Sequence, residues 1–431
     1  MTHHACALDV SAEDRGAAIS LGFSWLVFGL TIGLLLSDYM SRQVINAIFP
    51  LLKAEWRLTD RELGFLAGVV PLMVGLLTVP LSLLSDRLGR ARSVVLMATL
   101  WCLATVASGL AEGYGQMLAA RVVIGVGEAA YGSVGLAVIF SVFPVRMRST
   151  LSGLYGGAAL LGAVIGLALG GKIAATLGWR NAFHAVAIFG FVLVGLFALI
   201  VREDKLGANR STAARARVAD MSWREIFAAL FKTRSVVFTY LGSGAQLMIT
   251  GAMIAWLPTF FARYYTLPTD KAAGLAALFI LASGVGMGVL GGVADRVSRR
   301  RRDLKLACCI AYCLASLVIM LIAFRLPPGP AQLVALAMGI FVAAGTWGPT
   351  TAVVANLTPP AIHATSMGVL ALLNNMLGLF PGPFLTGVLS DRFGLMEALR
   401  VIPLMSLVAT AMLFIAWRHY ERDHRRISEA A

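Results

Sequence analysis

Two stretches decide how this chain folds: Ser82-Leu-Leu-Ser-Asp86-Arg87-Leu-Gly89-Arg90 and Gly291-Gly-Val-Ala-Asp295-Arg296-Val-Ser-Arg299-Arg300. Each closes a long apolar segment with an Asp-Arg pair and a trailing Arg. Either copy alone is a charged turn. Two copies some two hundred residues apart, each after the second helix of a half, are the trace of a repeat-built membrane protein.

The segments around them fit that frame. The chain has 431 residues, of which 58% are hydrophobic and only 13% charged, and its mean hydropathy is +0.81. A soluble chain of this length needs more charge to cover its domains. Here the apolar residues come in runs, such as Phe189 to Val201 with its upstream flank and Leu304 to Ala323. A spanning helix needs about 20 apolar residues. Twelve helices are predicted, roughly at 21–47, 62–84, 93–111, 116–141, 149–172, 182–201, 235–262, 270–293, 304–324, 331–355, 363–389 and 396–418.

The longest polar gap, about 202–234, holds a series of Lys and Arg from Arg202 to Arg234 and a small amphipathic piece at Trp223 to Leu230. It reads as a basic cytoplasmic linker with an interfacial helix. The chain thus divides into a tail (1–20), a six-helix bundle (21–201), the linker (202–234), a second bundle (235–418) and a tail (419–431). The expected fold is an all-α membrane protein of two pseudo-symmetric six-helix bundles. An even count puts both termini on the cytoplasmic side of the inner membrane.

The net charge of +14 is mostly an orientation signal. Well over half of the 36 Lys and Arg fall in segments assigned to the cytoplasm, the positive-inside bias. Nucleic acid is not an expected partner. The first twenty residues, with Asp9, Glu13, Asp14 and Arg15, do not read as a cleaved signal. Cys308, Cys309 and Cys313 share one helix and read as small apolar residues; no metal and no cofactor is expected. Glycines four apart, Gly162, Gly166 and Gly170 in the fifth helix and Gly284, Gly288 and Gly292 in the eighth, read as surfaces where the moving halves pack and slide.

A charge inside a membrane helix is costly and is a functional candidate. Four stand out: Asp38 and Arg42 in the first helix, Arg121 and Glu128 in the fourth. Asp38 and Arg42 are four apart and share a face. Arg121 and Glu128 are seven apart, about 10 Å along the same face. The polar run Ser37-Asp-Tyr-Met-Ser-Arg-Gln must face protein or water. Two acids and two arginines in one cavity can carry a proton on a carboxyl and hold either that carboxyl or an anion on a guanidinium. They can also be two buried salt bridges that fix helix packing, although such pairs stabilise poorly. The second half has no intramembrane acid. It supplies Gln246, Asn374, Asn375, Thr346, Trp347, Thr350 and Thr351, groups that orient ligands or bond helices.

Several strings carry a family resemblance: Tyr39-Met-Ser-Arg42, Leu58-Thr-Asp60-Arg-Glu-Leu-Gly64, Arg121-Val-Val-Ile-Gly-Val-Gly-Glu128-Ala, Phe143-Pro144, Gly178-Trp-Arg180-Asn-Ala-Phe183 and Gly387-Val-Leu-Ser-Asp391-Arg. The chain resembles the major facilitator superfamily over about residues 20–420, most of all its bacterial spinster-like branch. The anion:cation symporters of the same superfamily look similar. The resemblance implies alternating access; a monomer is expected. It implies a latch of Asp86, Arg87 and Arg90 with Asp295, Arg296 and Arg299. It implies that Glu128 and Arg121 sit in the central cavity, and proton coupling is expected at Glu128 and Asp38. Substrate binding would then fall to Arg42, Arg121 and Tyr39, with Gln246, Trp347, Asn374 and Asn375 from the second half. Spinster relatives move lysolipids and sphingoid phosphates, and the symporters move organic anions such as sugar acids. Two positions depart from the pattern. Relatives carry Asp where this chain has Ser41, and Gly where it has Ser82. No enzyme signature is present: there is no His cluster, no Gly-x-Ser-x-Gly and no catalytic Asp pair. The expected function is proton-coupled transport of an amphipathic or anionic solute, with an uncoupled facilitator or sensor as the alternative.

Overall fold

The computed structural model describes residues 20–144, 147–206, 230–231, 233–299, 301–358 and 362–430. Among them are twelve helices long and apolar enough to cross a membrane, and no strand. The spans are Leu21–Ala47, Asp60–Ser85, Arg90–Gly109, Tyr114–Val142, Thr150–Leu177, Trp179–Ile200, Arg234–Tyr264, Thr269–Val297, Leu304–Ala323, Pro330–Asn356, Thr365–Phe393 and Leu395–Arg426. The expected interfacial helix at Trp223 to Leu230 lies almost wholly outside the described residues.

Most boundaries fall within a few residues of expectation, and the departures have local causes. The second helix runs to Leu88 and the third starts at Arg90, so the expected loop shrinks to Gly89 at φ 90°. Gly178 (φ 89°) and Gly394 (φ 84°) make the same junction before the sixth and twelfth spans. Positive φ is open to glycine and strained for other residues. Thr59 starts the second span with a capping box. Its hydroxyl accepts the Glu62 N–H, and the Glu62 carboxylate accepts the Thr59 N–H.

The fourth span is broken at Ala129 and Ala130, just after Glu128, into Tyr114–Glu128 and Tyr131–Val142. Its counterpart in the second half, the tenth span, breaks in the same way into Pro330–Ala344 and Trp347–Asn356. The eleventh holds a π turn, Asn375–Leu379, between two α segments. The last helix runs on to Ala430, so most of the tail expected at 419–431 is helical. It is tied down there: the Asp423 carboxylate accepts the Ser235 N–H and hydroxyl at 3.0 and 2.7 Å, and the Trp417 indole donates to Asp303 at 3.1 Å.

Among the described residues the apolar core has one part that joins both halves and three that each lie within one half, the smallest around Val69, Val70, Ala104 and Ile124. At the end of the bundle where the second span begins, one cluster joins both halves, from Val44, Leu63 and Leu167 to Trp256, Phe260 and Ala276. Towards the central linker, one cluster belongs to the first half (Leu34, Trp101, Val138, Leu151) and another to the second (Tyr240, Cys313, Val353, Leu413). The halves are therefore fused at the Asp60 end and divided at the linker end.

The glycine ladder of the fifth span corrects one expectation. A Cβ on Gly162, Gly166 or Gly170 would meet Leu36 and Tyr39, the Met40 backbone at 2.5 Å, or Val44. All these neighbours are on the first span, so the ladder seats two helices of the same half. Contact between the halves uses Gly171, against Ala273, and Gly284, against Leu160; Gly288 and Gly292 have open space.

Candidate functional site

The first and fourth spans bring the four predicted charges together. Arg42 Nε donates to Asp38 Oδ1 at 2.9 Å along one helical turn. The same nitrogen lies 2.7 Å from Glu128 Oε2. Its single N–H is aimed at Asp38, so the Glu128 contact is an ion pair and Oε2 itself accepts no hydrogen bond. Glu128 Oε1 lies 3.0 Å from the Ser41 hydroxyl, which also lies 2.9 Å from the Asp38 carbonyl. Asp38 and Glu128 are each 2% exposed. Two buried carboxyls thus flank one guanidinium nitrogen whose single N–H reaches only Asp38.

The two arginines occupy different situations. Arg121 is 1% exposed. Its Nε donates to the Leu66 carbonyl at 3.2 Å, Nη1 to the Ser41 carbonyl at 3.2 Å and Nη2 to the Arg42 carbonyl at 3.4 Å. Every nitrogen of that guanidinium is engaged by the backbones of the first and second spans. The sequence suggests that Arg121 offers itself to an anion; here each of its three nitrogens already donates to a backbone carbonyl and the side chain is buried. Arg42 is the opposite case. Its side chain is 16% exposed, its Nη1 and Nη2 make no hydrogen bond among the described residues, and its guanidinium carbon sits 4.9 Å over the Tyr39 ring.

Ser41 fills the gap left by the acid of the family pattern. The Ser41 hydroxyl meets Glu128, and Asp38, one turn earlier, reaches the Arg42 guanidinium. The break in the fourth span falls directly after Glu128.

The second-half candidates scatter. Gln246, 1% exposed, donates to the Ser316 hydroxyl at 3.2 Å and accepts from Ser406 at 3.0 Å. Its amide is spent joining the seventh, ninth and twelfth spans. Asn375 donates to the Ala371 carbonyl at 2.8 Å and packs against Gly75 of the other half. Asn374 is buried with its Oδ1 unpartnered. Trp347 is 41% exposed at the restart of the tenth span, and its carbonyl accepts the Thr350 and Thr351 hydroxyls. Among the described residues none of these four makes a hydrogen bond or ion pair with Arg42.

At the linker end the side chain of Asp86 lies outside the described residues. Asp295 pairs with Lys305 at 2.9 Å instead of an arginine. Arg87, Arg296 and Arg299 are exposed and have no ion pair among the described residues. The start of the third span is capped instead by Glu203, whose carboxylate accepts the Arg90 and Ala91 N–H groups at 3.0 and 2.7 Å.

Sequence reasoning missed a cluster at the opposite end. Asp60 accepts Lys53 at 2.5 Å, both Nη atoms of Arg263 at 2.7 Å and the Ser390 hydroxyl. Its own N–H and that of Arg61 are accepted by Asp391 at 2.8 and 2.9 Å. An acid just inside a Thr-x-x-Glu box is a visible signal. Lys53 is near in sequence, but the partners of Asp60 in the second half, Arg263, Ser390 and Asp391, more than two hundred residues away, are not visible.

The model of the Major Facilitator Superfamily matches residues 31–383. The chain belongs to the major facilitator superfamily. It is a membrane transporter of organic solutes and not an enzyme. It is similar to "Protein spinster homolog 1" of Homo sapiens, 26% identical over 404 residues, covering 89% of this chain and 76% of that protein. It is also similar to "Probable 4-methylmuconolactone transporter" of Cupriavidus pinatubonensis (27% identical; 84% and 83% covered) and "Probable L-galactonate transporter" of Escherichia coli (26%; 60% and 58%). Among solved structures, a bacterial homolog of the human lysosomal transporter Spinster, in an inward-facing and unoccupied conformation, shares the fold at a TM-score of 0.82 with 19% identity over 94% of this chain and 99% of that one. A D-xylose-proton symporter does so at 0.72 with 17% identity (92% and 98%). The superfamily fold and the likeness to the spinster branch agree with the sequence reading.

Proposed function

We propose that this transporter couples protons to the movement of an amphipathic or anionic organic solute by alternating access. The observation that carries the reading is that Arg42 Nε lies between Asp38 Oδ1 at 2.9 Å and Glu128 Oε2 at 2.7 Å with its one N–H given to Asp38, while neither Nη atom makes a hydrogen bond among the described residues. With both acids ionised, Arg42 is held by them. A proton on Glu128 Oε2, the oxygen that lacks a donor, ends that competition and leaves Arg42 to Asp38 and to an incoming anion. A guanidinium edge suits a carboxylate or phosphate bidentately, and the Tyr39 ring offers an apolar neighbour. The likeness to probable galactonate and methylmuconolactone transporters supports an organic solute, and the likeness to spinster proteins supports an amphipathic one.

Uptake into proteoliposomes tests the coupling, with sugar acids, aromatic acids and lysolipids as candidate solutes. With one proton per solute, one unit of pH gradient supports about tenfold accumulation, and an uncoupler returns it to about one. Accumulation that ignores the uncoupler overturns the reading. Equilibration without accumulation supports a facilitator.

The divided end faces the cytoplasm on this reading, with both termini and the linker. Reporter fusions at Arg217, Arg300 and Arg425 read cytoplasmic, and one at Glu112 reads periplasmic. A periplasmic signal at Arg217 breaks the six-plus-six orientation.

A further inference from the structure

The last helix, Met405–Ala430, outruns the membrane. After Arg400 the chain has no charged residue until Arg418. That interval of helix rises about 27 Å, close to the roughly 30 Å of the hydrocarbon core. With Arg400 at one boundary, Arg418 stands at the other, where the acyl chains end.

The helix keeps the same side to the protein as it leaves. Ser406, Ala409, Leu413, Ala416, Tyr420 and Asp423 are buried and recur every three or four residues along one side. The last two hold that side beyond the span. Asp423 accepts the Ser235 N–H and hydroxyl at 3.0 and 2.7 Å. Tyr420 stacks on His424, whose Nε2 lies 2.7 Å from Arg302 Nη1. The opposite side is therefore fixed as well. Within the membrane it presents Leu404, Leu407, Ala411 and Phe414, all exposed. Past the boundary the same side carries Arg418, Arg422, Arg425 and Arg426, also exposed. The Arg418 guanidinium carbon lies 5.9 Å from the centre of the Phe414 ring, so the apolar stripe runs into the basic one without a gap. One acid borders the stripe: Glu421 lies 3.6 Å from Arg301 and 3.9 Å from Arg425. Arg418, Arg422 and Arg426 make no ion pair among the described residues.

We infer that this stripe is a binding site for an anionic phospholipid, in the leaflet where the C-terminal helix emerges. The acyl chains lie along Ala411 and Phe414, and the phosphate lies between Arg418 and Arg422. The headgroup layer is roughly 5–8 Å deep on each side, and Arg422 lies about 6 Å beyond Arg418, so this pair spans it. Guanidinium groups take a phosphate diester by charge-assisted hydrogen bonds, bidentate where the edge is free. Arg425 and Arg426 stand farther out and act through their field. The orientation bias of the chain sets only how many basic residues lie at this end. Packing against Ser235 and Arg302 sets these four in one line, beside lipid. The inference depends on neither proton coupling nor the direction of transport.

Native mass spectrometry of the intact transporter tests it. The protein is released from detergent micelles that hold equal amounts of phosphatidylglycerol and phosphatidylcholine with the same acyl chains. Wild type retains phosphatidylglycerol in preference. Each arginine near an anionic surface is worth about fivefold in that preference, so Arg418→Gln combined with Arg422→Gln lowers it about thirtyfold. Arg92→Gln combined with Arg202→Gln removes two exposed arginines at the same end of the bundle and leaves the preference as in wild type. A large excess of glycerol phosphate leaves it too, because the acyl chains share in holding the lipid. All four positions are exposed, so the variants keep the fold. No preference in wild type, or an undiminished one without Arg418 and Arg422, overturns the site. An equal fall in the Arg92 and Arg202 variant overturns it in favour of summed charge. Displacement of the lipid by glycerol phosphate overturns it in favour of a site for soluble phosphate esters.

Discussion

Glu128→Gln is expected to abolish proton-driven accumulation, taking it from about tenfold under one unit of pH gradient to about one. Binding and counterflow exchange should survive within a few-fold. Glutamine keeps the volume of the side chain and offers Ser41 an acceptor in place of Oε1. It cannot take up or release a proton, so Arg42 is left permanently to Asp38 and the solute. The two halves can still alternate with solute bound, which is all that exchange requires. The measurement is uptake by the same proteoliposome preparation in both modes, beside a melting curve to show that the variant is folded. Wild-type accumulation in Glu128→Gln makes the acid structural and ends the proposed mechanism. Asp38→Asn then separates two cases: a loss like that of Glu128→Gln means the acids share the proton, and a mild effect means Glu128 works alone.

The two arginines should fail in different ways. Arg42→Ala removes the free Nη edge and the cation between two buried acids. Loss of a charge-assisted bidentate contact costs roughly 3 kcal/mol, so solute affinity should fall by about a hundredfold. The side chain is partly exposed, and the acids can stay neutral by holding a proton, so the protein should still purify as a single species. Arg121→Ala removes the donors to the Leu66, Ser41 and Arg42 carbonyls and leaves a void where a large side chain was buried. A buried acceptor without its donor costs about 1–3 kcal/mol, and three lie around that void. The expected result is little folded protein, seen as aggregation on size exclusion and a lowered melting temperature. A well-folded Arg121→Ala that has lost only solute binding would restore Arg121 to the role its sequence suggests.

That contrast marks where the sequence stops being legible. Four charges in apolar segments are visible as candidates because lipid penalises them, and their spacing shows which share a helical face. Which nitrogen of which arginine is free depends on the carbonyls that neighbouring helices present, and no one-dimensional pattern carries that. Ser41 reads as a missing acid; in the structure its hydroxyl meets Glu128 and Asp38 supplies the carboxyl from one turn away. Gln246 reads as a ligand for solute, yet its amide is used up by Ser316 and Ser406.

The same division holds for the whole fold. Apolar run length, the positive-inside bias and the repeated Asp-Arg strings are local or averaged properties, so the sequence by itself determined twelve spans, two halves and a membrane transporter. The glycines of the fifth span announce a close approach, because a bare backbone admits a neighbour, but not the identity of that neighbour, which is the first span of the same half. Asp60 and Asp391 lie 331 and 330 residues along the chain from the atoms that bind them across the seam. Only the tertiary structure decided that they meet, because helix faces are written in the local period of the chain, whereas the pairing of faces is set by how whole helices pack.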